Sequence, residues 1–147
     1  MKTVKKDISF GFLLSDVTRL FRKHFDRRAV EFGLTRAQWR ALKWLNASEG
    51  MNQSELAEQL EMEPMAIGRV IDRLQNSGFV VRKADPSDRR SWRLFLTDRA
   101  RAILDDMQRI SKKLLSEAVG DIPKDDIDHT LQVLERIKSN LLELESR

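Results

Sequence analysis

Apolar residues recur along this chain at two periods, and the switch between them marks its layout. Over 8–32, Phe10, Leu13, Leu14, Val17, Leu20, Phe21 and Phe25 recur at steps of three and four, which predicts a long amphipathic helix ending at Gly33. Thr35 and Gln38 form a capping-box pattern that opens a second helix, with Trp39, Leu42 and Leu45 inward and Gly50 closing it. Asn52-Gln53-Ser54-Glu55 repeats the pattern and opens a short helix over 53–60, with Leu56, Ala57 and Leu60 on its apolar face. Pro64, a favoured first helical residue, starts a fourth helix. There Ile67, Val70, Ile71 and Leu74 hold the spacing of one buried face, and Gly78 stops the run.

The period then falls to two. Phe79-Val80-Val81-Arg82, the turn formers Asp85-Pro86-Ser87-Asp88, and alternating Trp92, Leu94 and Leu96 predict a hairpin. Helical spacing returns after Thr97, a cap, through Ala100, Ile103, Leu104, Met107, Ile110, Leu114 and Ala118. Gly120 and Pro123 separate this helix from a last one over 124–145, with Ile127, Leu131, Leu134, Ile137, Leu141 and Leu144 on one stripe. The order α-α-α-α-β-β-α-α is mainly α with a small β-hairpin wing, the layout of a winged helix-turn-helix with long terminal helices. Length predicts a single domain over 1–147, with the winged region at 35–97. The flanking helices, 8–32 and 98–146, carry more apolar stripe than one small domain covers, which predicts a homodimer held by them.

A net charge of +4 is a weak sign of nucleic acid, but its distribution says more. Residues 1–101 hold 20 Lys and Arg against 13 Asp and Glu; residues 102–147 hold 7 against 10. The basic excess therefore lies with the winged region. There is no cysteine, which excludes a disulfide framework, a thiolate metal site and a thiol sensor. No signal peptide or membrane-length apolar run is seen, so a cytoplasmic, bacterial-type setting is expected, on the nucleoid when bound, with no membrane partner.

Double-stranded DNA is the partner these patterns favour. The fourth helix turns Met65, Ala66, Gly68, Arg69 and Arg73 away from its apolar stripe, with Pro64 at its start. A slim surface of this kind suits close approach to a groove. The hairpin adds Arg82, Arg89, Arg90 and Arg93, guanidinium groups suited to phosphates and a narrow minor groove. Charges on a hairpin also serve merely to keep a sheet edge from aggregating. Asp88, two residues before Arg90, is expected to hold that guanidinium in one rotamer, while Asn52 and Ser54 join a phosphate-contact set.

Leu34-Thr35-x-x-Gln38-Trp39, Ser54-Glu55-Leu56-Ala57, Ile71-Asp72-Arg73-Leu74, Gly78-Phe79-Val80 and Asp85-Pro86-x-Asp88-x-Arg90 through Leu96-Thr97 resemble the MarR/SlyA family of transcriptional regulators, in register over 34–101. The resemblance implies a homodimer on a palindromic operator, usually as a repressor, and release by small aromatic carboxylates or phenolic compounds. Without cysteine, the thiol-based peroxide-sensing branch is excluded. Phe21, His24, Phe32 and Trp39 are the candidate lining residues for such an effector, although ordinary core packing explains each aromatic as well. His24 and His129 have no second ligand at metal spacing, and no phosphate loop, dinucleotide loop or nucleophile elbow occurs. No enzyme, metal or cofactor is expected. The rival reading is a protein–protein adaptor that keeps a winged-helix scaffold without DNA binding.

Overall fold

Helices start where a side chain can bond the free N–H groups of the first turn. The computed structural model describes residues 9–147; Ile8, the first residue of the expected leading helix, lies outside the described residues. Ser9 caps α1 (Phe10–Ala29), its hydroxyl accepting from the Phe12 N–H at 3.2 Å. Complete capping boxes open α2 (Arg36–Ala47) at Thr35 and α3 (Gln53–Gln59) at Asn52. Pro64 is the first residue of α4 (Pro64–Asn76). The hairpin β1 (Val80–Asp85) and β2 (Asp88–Leu96) follows, then α5 (Asp98–Val119) and α6 (Lys124–Glu145). The Thr97 hydroxyl accepts from the Ala100 N–H at 3.2 Å and donates to the Gly78 carbonyl at 2.6 Å, so one residue caps α5 and ties it to the end of α4. The fold is a winged helix-turn-helix, as the pattern predicts.

Two boundaries differ from expectation. The leading helix narrows at Val30–Phe32 into a 3-10 turn, because the Gly33 N–H reaches back only to the Val30 carbonyl. Gly50 does not close α2, which ends at Ala47. It begins instead a short extended connection beside β2: its N–H donates to the Leu94 carbonyl at 2.9 Å, and the Leu94 N–H donates to the Met51 carbonyl at 2.9 Å. Its φ of +88° calls for glycine, while the Phe95 ring, 3.5 Å from where a Cβ would stand, would leave room for one. Asn52 then bridges to Arg93.

The main core joins Leu42 and Leu45 of α2, Leu56 of α3, Ile67, Ile71 and Leu74 of α4, and Val80 and Leu94 of the hairpin. Burying each such side chain contributes about 1.5–3 kcal/mol. With that face of α4 pinned inward, the opposite face is held outward. A second cluster gathers Ala29, Trp39 and Met107, with Phe25 and Phe32 against them.

Length suggests one domain, whereas contacts within the chain define two units, one ending at Ser111 and one spanning Lys112–Arg147. In the second unit α6 has no buried residue, and Leu131, Leu141 and Leu144 are exposed. Ala118, expected on the inner face of its helix, is exposed too. In the first unit α1 leaves Phe10, Leu13, Leu14, Val17 and Leu20 uncovered. Among the described residues, no helix is long and apolar enough to cross a membrane.

Candidate nucleic-acid interface

The outward face of α4 begins with Pro64 and Met65, the latter 74% exposed, and continues through half-buried Ala66 and Gly68 to exposed Arg69 and Arg73. Among the described residues neither arginine has an ion-pair or hydrogen-bond partner, so both guanidinium groups are open to a ligand. Asn52 caps α3, its side-chain oxygen accepting from the Glu55 N–H at 2.8 Å while its amide donates to the Glu55 carboxylate at 3.3 Å. Its polar atoms are thus engaged in the cap. Ser54 on the same turn is exposed.

β1 and β2 pair antiparallel from Val80 opposite Leu96 to Ala84 opposite Trp92, after which the register jumps to Asp85 opposite Asp88. Arg89, Arg90 and Ser91 are left over as a bulge at the tip of the wing. That bulge overturns the expected Asp88–Arg90 ion pair. Residues two apart share a face only in regular strand. Here the Asp88 carboxylate accepts the Arg90 backbone N–H at 2.9 Å, and the Arg90 guanidinium makes no ion pair among the described residues. The carboxylate that does organise the tip is Asp85. It accepts the Ser87 N–H at 2.9 Å and the Ser87 hydroxyl at 2.8 Å, and its other oxygen lies 3.5 Å from Arg93 Nε. These contacts, the Ser87 backbone bond foremost, hold its carboxyl below the ordinary range. The stabilisation they give the turn is present above about pH 4 and is lost as pH falls through the lower folded value.

Arg82 departs furthest from expectation. As a phosphate contact it would present free N–H groups, yet its Nε–H donates to Gln53 at 2.9 Å and Nη1 to Gln75 at 3.0 Å. Nη1 also lies 2.7 Å from the Asp72 carboxylate, and Nη2 is 3.4 Å from the Gly68 carbonyl. The guanidinium is consumed inside the fold. Arg93 is shared with Asp85, and Arg89 and Arg90 are exposed.

Of the four candidate effector residues, the structure joins Phe32 and Trp39, edge to face at 6.1 Å between ring centroids. Phe25, not among the sequence candidates, makes the same edge-to-face contact with Trp39 at 6.4 Å. Phe21 is half-buried outside that cluster and His24 is exposed. Trp39 is 6% exposed, and its Nε1–H is buried with no acceptor. Nearby, burial and then the charges of Arg22 and Arg40 lower the guanidinium pKa of Arg36, with Asp26 opposing them.

The geometry is that of a known family. The MarR family model matches residues 34–92, which spans α2, α3, α4 and most of the wing. The transcriptional regulator PA3341 is 32% identical, with a TM-score of 0.79, and the match covers 92% of this chain and 99% of that one. The chain belongs to the MarR family. A MarR transcriptional regulator from Methanosarcina mazei Go1 has a TM-score of 0.81 at 25% identity, covering 91% of this chain and 96% of its own. A MarR-family regulator from Rhodococcus sp. RHA1 is 27% identical with a TM-score of 0.76, over 93% and 96% of the two chains. This MarR-family chain is accordingly a DNA-binding transcriptional regulator.

Proposed function

We propose that this MarR-family regulator binds a palindromic operator as a homodimer, acting as a repressor, with α4 in the major groove and the wing tip in the minor groove. One observation carries the reading. Arg69 and Arg73 on α4, and Arg89 and Arg90 on the wing, are exposed and their guanidinium groups have no partner among the described residues, while Arg82, Arg93 and Arg101 are paired. Cations left free on the two elements that frame a groove are the footprint of a polyanion. Selecting bound fragments from random genomic DNA tests it directly. Enrichment of an inverted repeat is expected; indifference to every duplex would favour the adaptor reading instead.

Arg69 sits in the first half of α4, where recognition helices meet base edges. Arg69→Ala is expected to lose about 1–3 kcal/mol of preference for the selected site while keeping most non-specific affinity. Competition with random duplex at fixed salt measures this. Equal loss on both duplexes would make Arg69 a phosphate contact.

Asp88 gives a sharper test of the wing. Asp88→Asn keeps an oxygen for the Arg90 N–H and removes the charge. Two unit charges ~4 Å apart in water interact by about 1 kcal/mol, so DNA affinity should rise by up to about fivefold at low salt. An ion pair orienting Arg90 would produce the reverse.

Release by an aromatic carboxylate is part of the same reading. It is supported by the orphan Trp39 Nε1–H, on a ring that meets Phe25 and Phe32 edge to face. A ligand accepting that N–H relieves an unmet donor, whose burial costs about 1–3 kcal/mol. It dissociates the complex only if it binds the DNA-free shape more tightly. Titrating salicylate into a preformed complex should release DNA, and Trp39→Phe should shift the midpoint upward. Absence of release at millimolar salicylate would remove this class of effector.

A further inference from the structure

Arg82 leaves the sheet from the middle of β1, opposite Leu94, and ends against two helices at once. Its Nε–H bonds Gln53 of α3, and its two terminal nitrogens meet Gln75, Asp72 and the Gly68 carbonyl of α4. Its side chain is 19% exposed against 61% for Asp72, so the cation is the covered member of the pair. A guanidinium is planar and rigid, and acceptors on several sides of it fix its plane. Through that plane they fix the angle at which the wing leaves the helix-turn-helix. The Arg82 ties lie on the face of the hairpin that carries Val80, Ala84, Trp92 and Leu94, and residues beyond Ala84 have no comparable tie to α4.

We propose that Arg82 is a positioning residue for DNA binding: it holds the wing at a set distance from the recognition helix, with Asp72, Gln53 and Gln75 as its anchors. The proposal rests on the DNA-binding reading above. It assigns Asp72 a role whose sign is opposite to that of simple charge. An anion on the reading helix repels phosphates, and its removal ought to tighten binding. If Asp72 acts through Arg82, its removal loosens the wing and weakens binding, because a loosened wing has to be ordered again on every encounter.

Lysine separates the two roles of Arg82. As a phosphate contact, Lys substitutes well, since a point charge suffices. As a strut it fails, because one ammonium group cannot span acceptors on two helices in a fixed plane. The wing angle can be read without DNA. The chain has no cysteine, so Glu58→Cys on α3 and Pro86→Cys at the hairpin turn accept spin labels at those two places alone. Diluting labelled chain into excess unlabelled chain confines the measured distance to one protomer.

In this background, Arg82→Lys and Asp72→Asn are expected to broaden the label-to-label distance distribution. Both should also weaken binding to the selected operator, Arg82→Lys on the order of tenfold. Wild-type distances with wild-type affinity in Arg82→Lys would overturn the proposal, as would tighter operator binding by Asp72→Asn. Should the wild type select no operator, the DNA reading fails, while the distance measurement still decides whether Arg82 sets the wing. Asp72 is exposed, so its variant tests the idea even if Arg82→Lys fails to fold.

Discussion

A chain carrying Leu131→Asp and Leu141→Asp is expected to sediment as a folded monomer where the wild type sediments as a dimer. Both leucines are already uncovered in the single chain, at 54% and 57% exposure, so the new carboxylates meet water and the protomer has no reason to unfold. In a dimer built on α6 the same positions are buried, and a closed two-fold interface holds each of them twice. An unpaired charge placed in such an interface costs about 3–5 kcal/mol. Four carboxylates in one interface exceed what a dimer of ordinary affinity withstands. Leu134, half-buried in the isolated chain, is the less informative site, since a charge there disturbs the protomer as well. Sedimentation at micromolar concentration, with circular dichroism to verify helix content, reads both properties. A double variant that stays dimeric would move the interface away from α6. A wild type that is monomeric would remove it altogether.

The second large effect belongs to the wing tip. Arg89 and Arg90 sit in the bulge, exposed and without an ion pair, so replacing them disturbs no packing. Each phosphate contact contributes about −0.9 to the slope of log K against log salt. Arg89→Ala with Arg90→Ala removes four such contacts from a dimer, and the slope should become shallower by roughly 3–4. Affinity at low salt should fall by several orders of magnitude, with melting temperature nearly unchanged. A slope unchanged from wild type would place the wing outside the DNA contact.

Local chemistry was legible in the sequence, and long-range chemistry was not. The capping boxes at Thr35 and Asn52 depend on residues three apart and stand where the pattern put them. The inward stripe of α4 follows from helical periodicity, and its outward face follows from the stripe. The fate of Arg82 depends on Gln53, 29 residues earlier, and on a packing angle that no periodicity encodes. Its guanidinium reads in sequence as one more wing cation. The Asp88–Arg90 expectation failed for a related reason, since it assumed regular strand where a bulge follows Asp88. Gly50 carries an ordinary helix-stop signal, and only the fold reveals that its N–H is spent on Leu94. Phe25 reads in sequence as one more residue of the leading helix's apolar stripe, and its contact with Trp39 depends on how that helix packs.

The pair of bonds joining Gly50 and Met51 to Leu94 divides the wing into two thermodynamic regions. Leu94 is fully buried, and its amide is tied on one side to the connection before α3. Exchange of that amide with solvent deuterium requires opening the core and therefore follows global unfolding. The amides of Arg89 and Ser91 lie in a bulge with no strand partner, and local fluctuation exposes them. The stem is thus expected to exchange with the helix-turn-helix, and the tip before it. Such a tip can adapt to grooves of different width without any loss of folded structure.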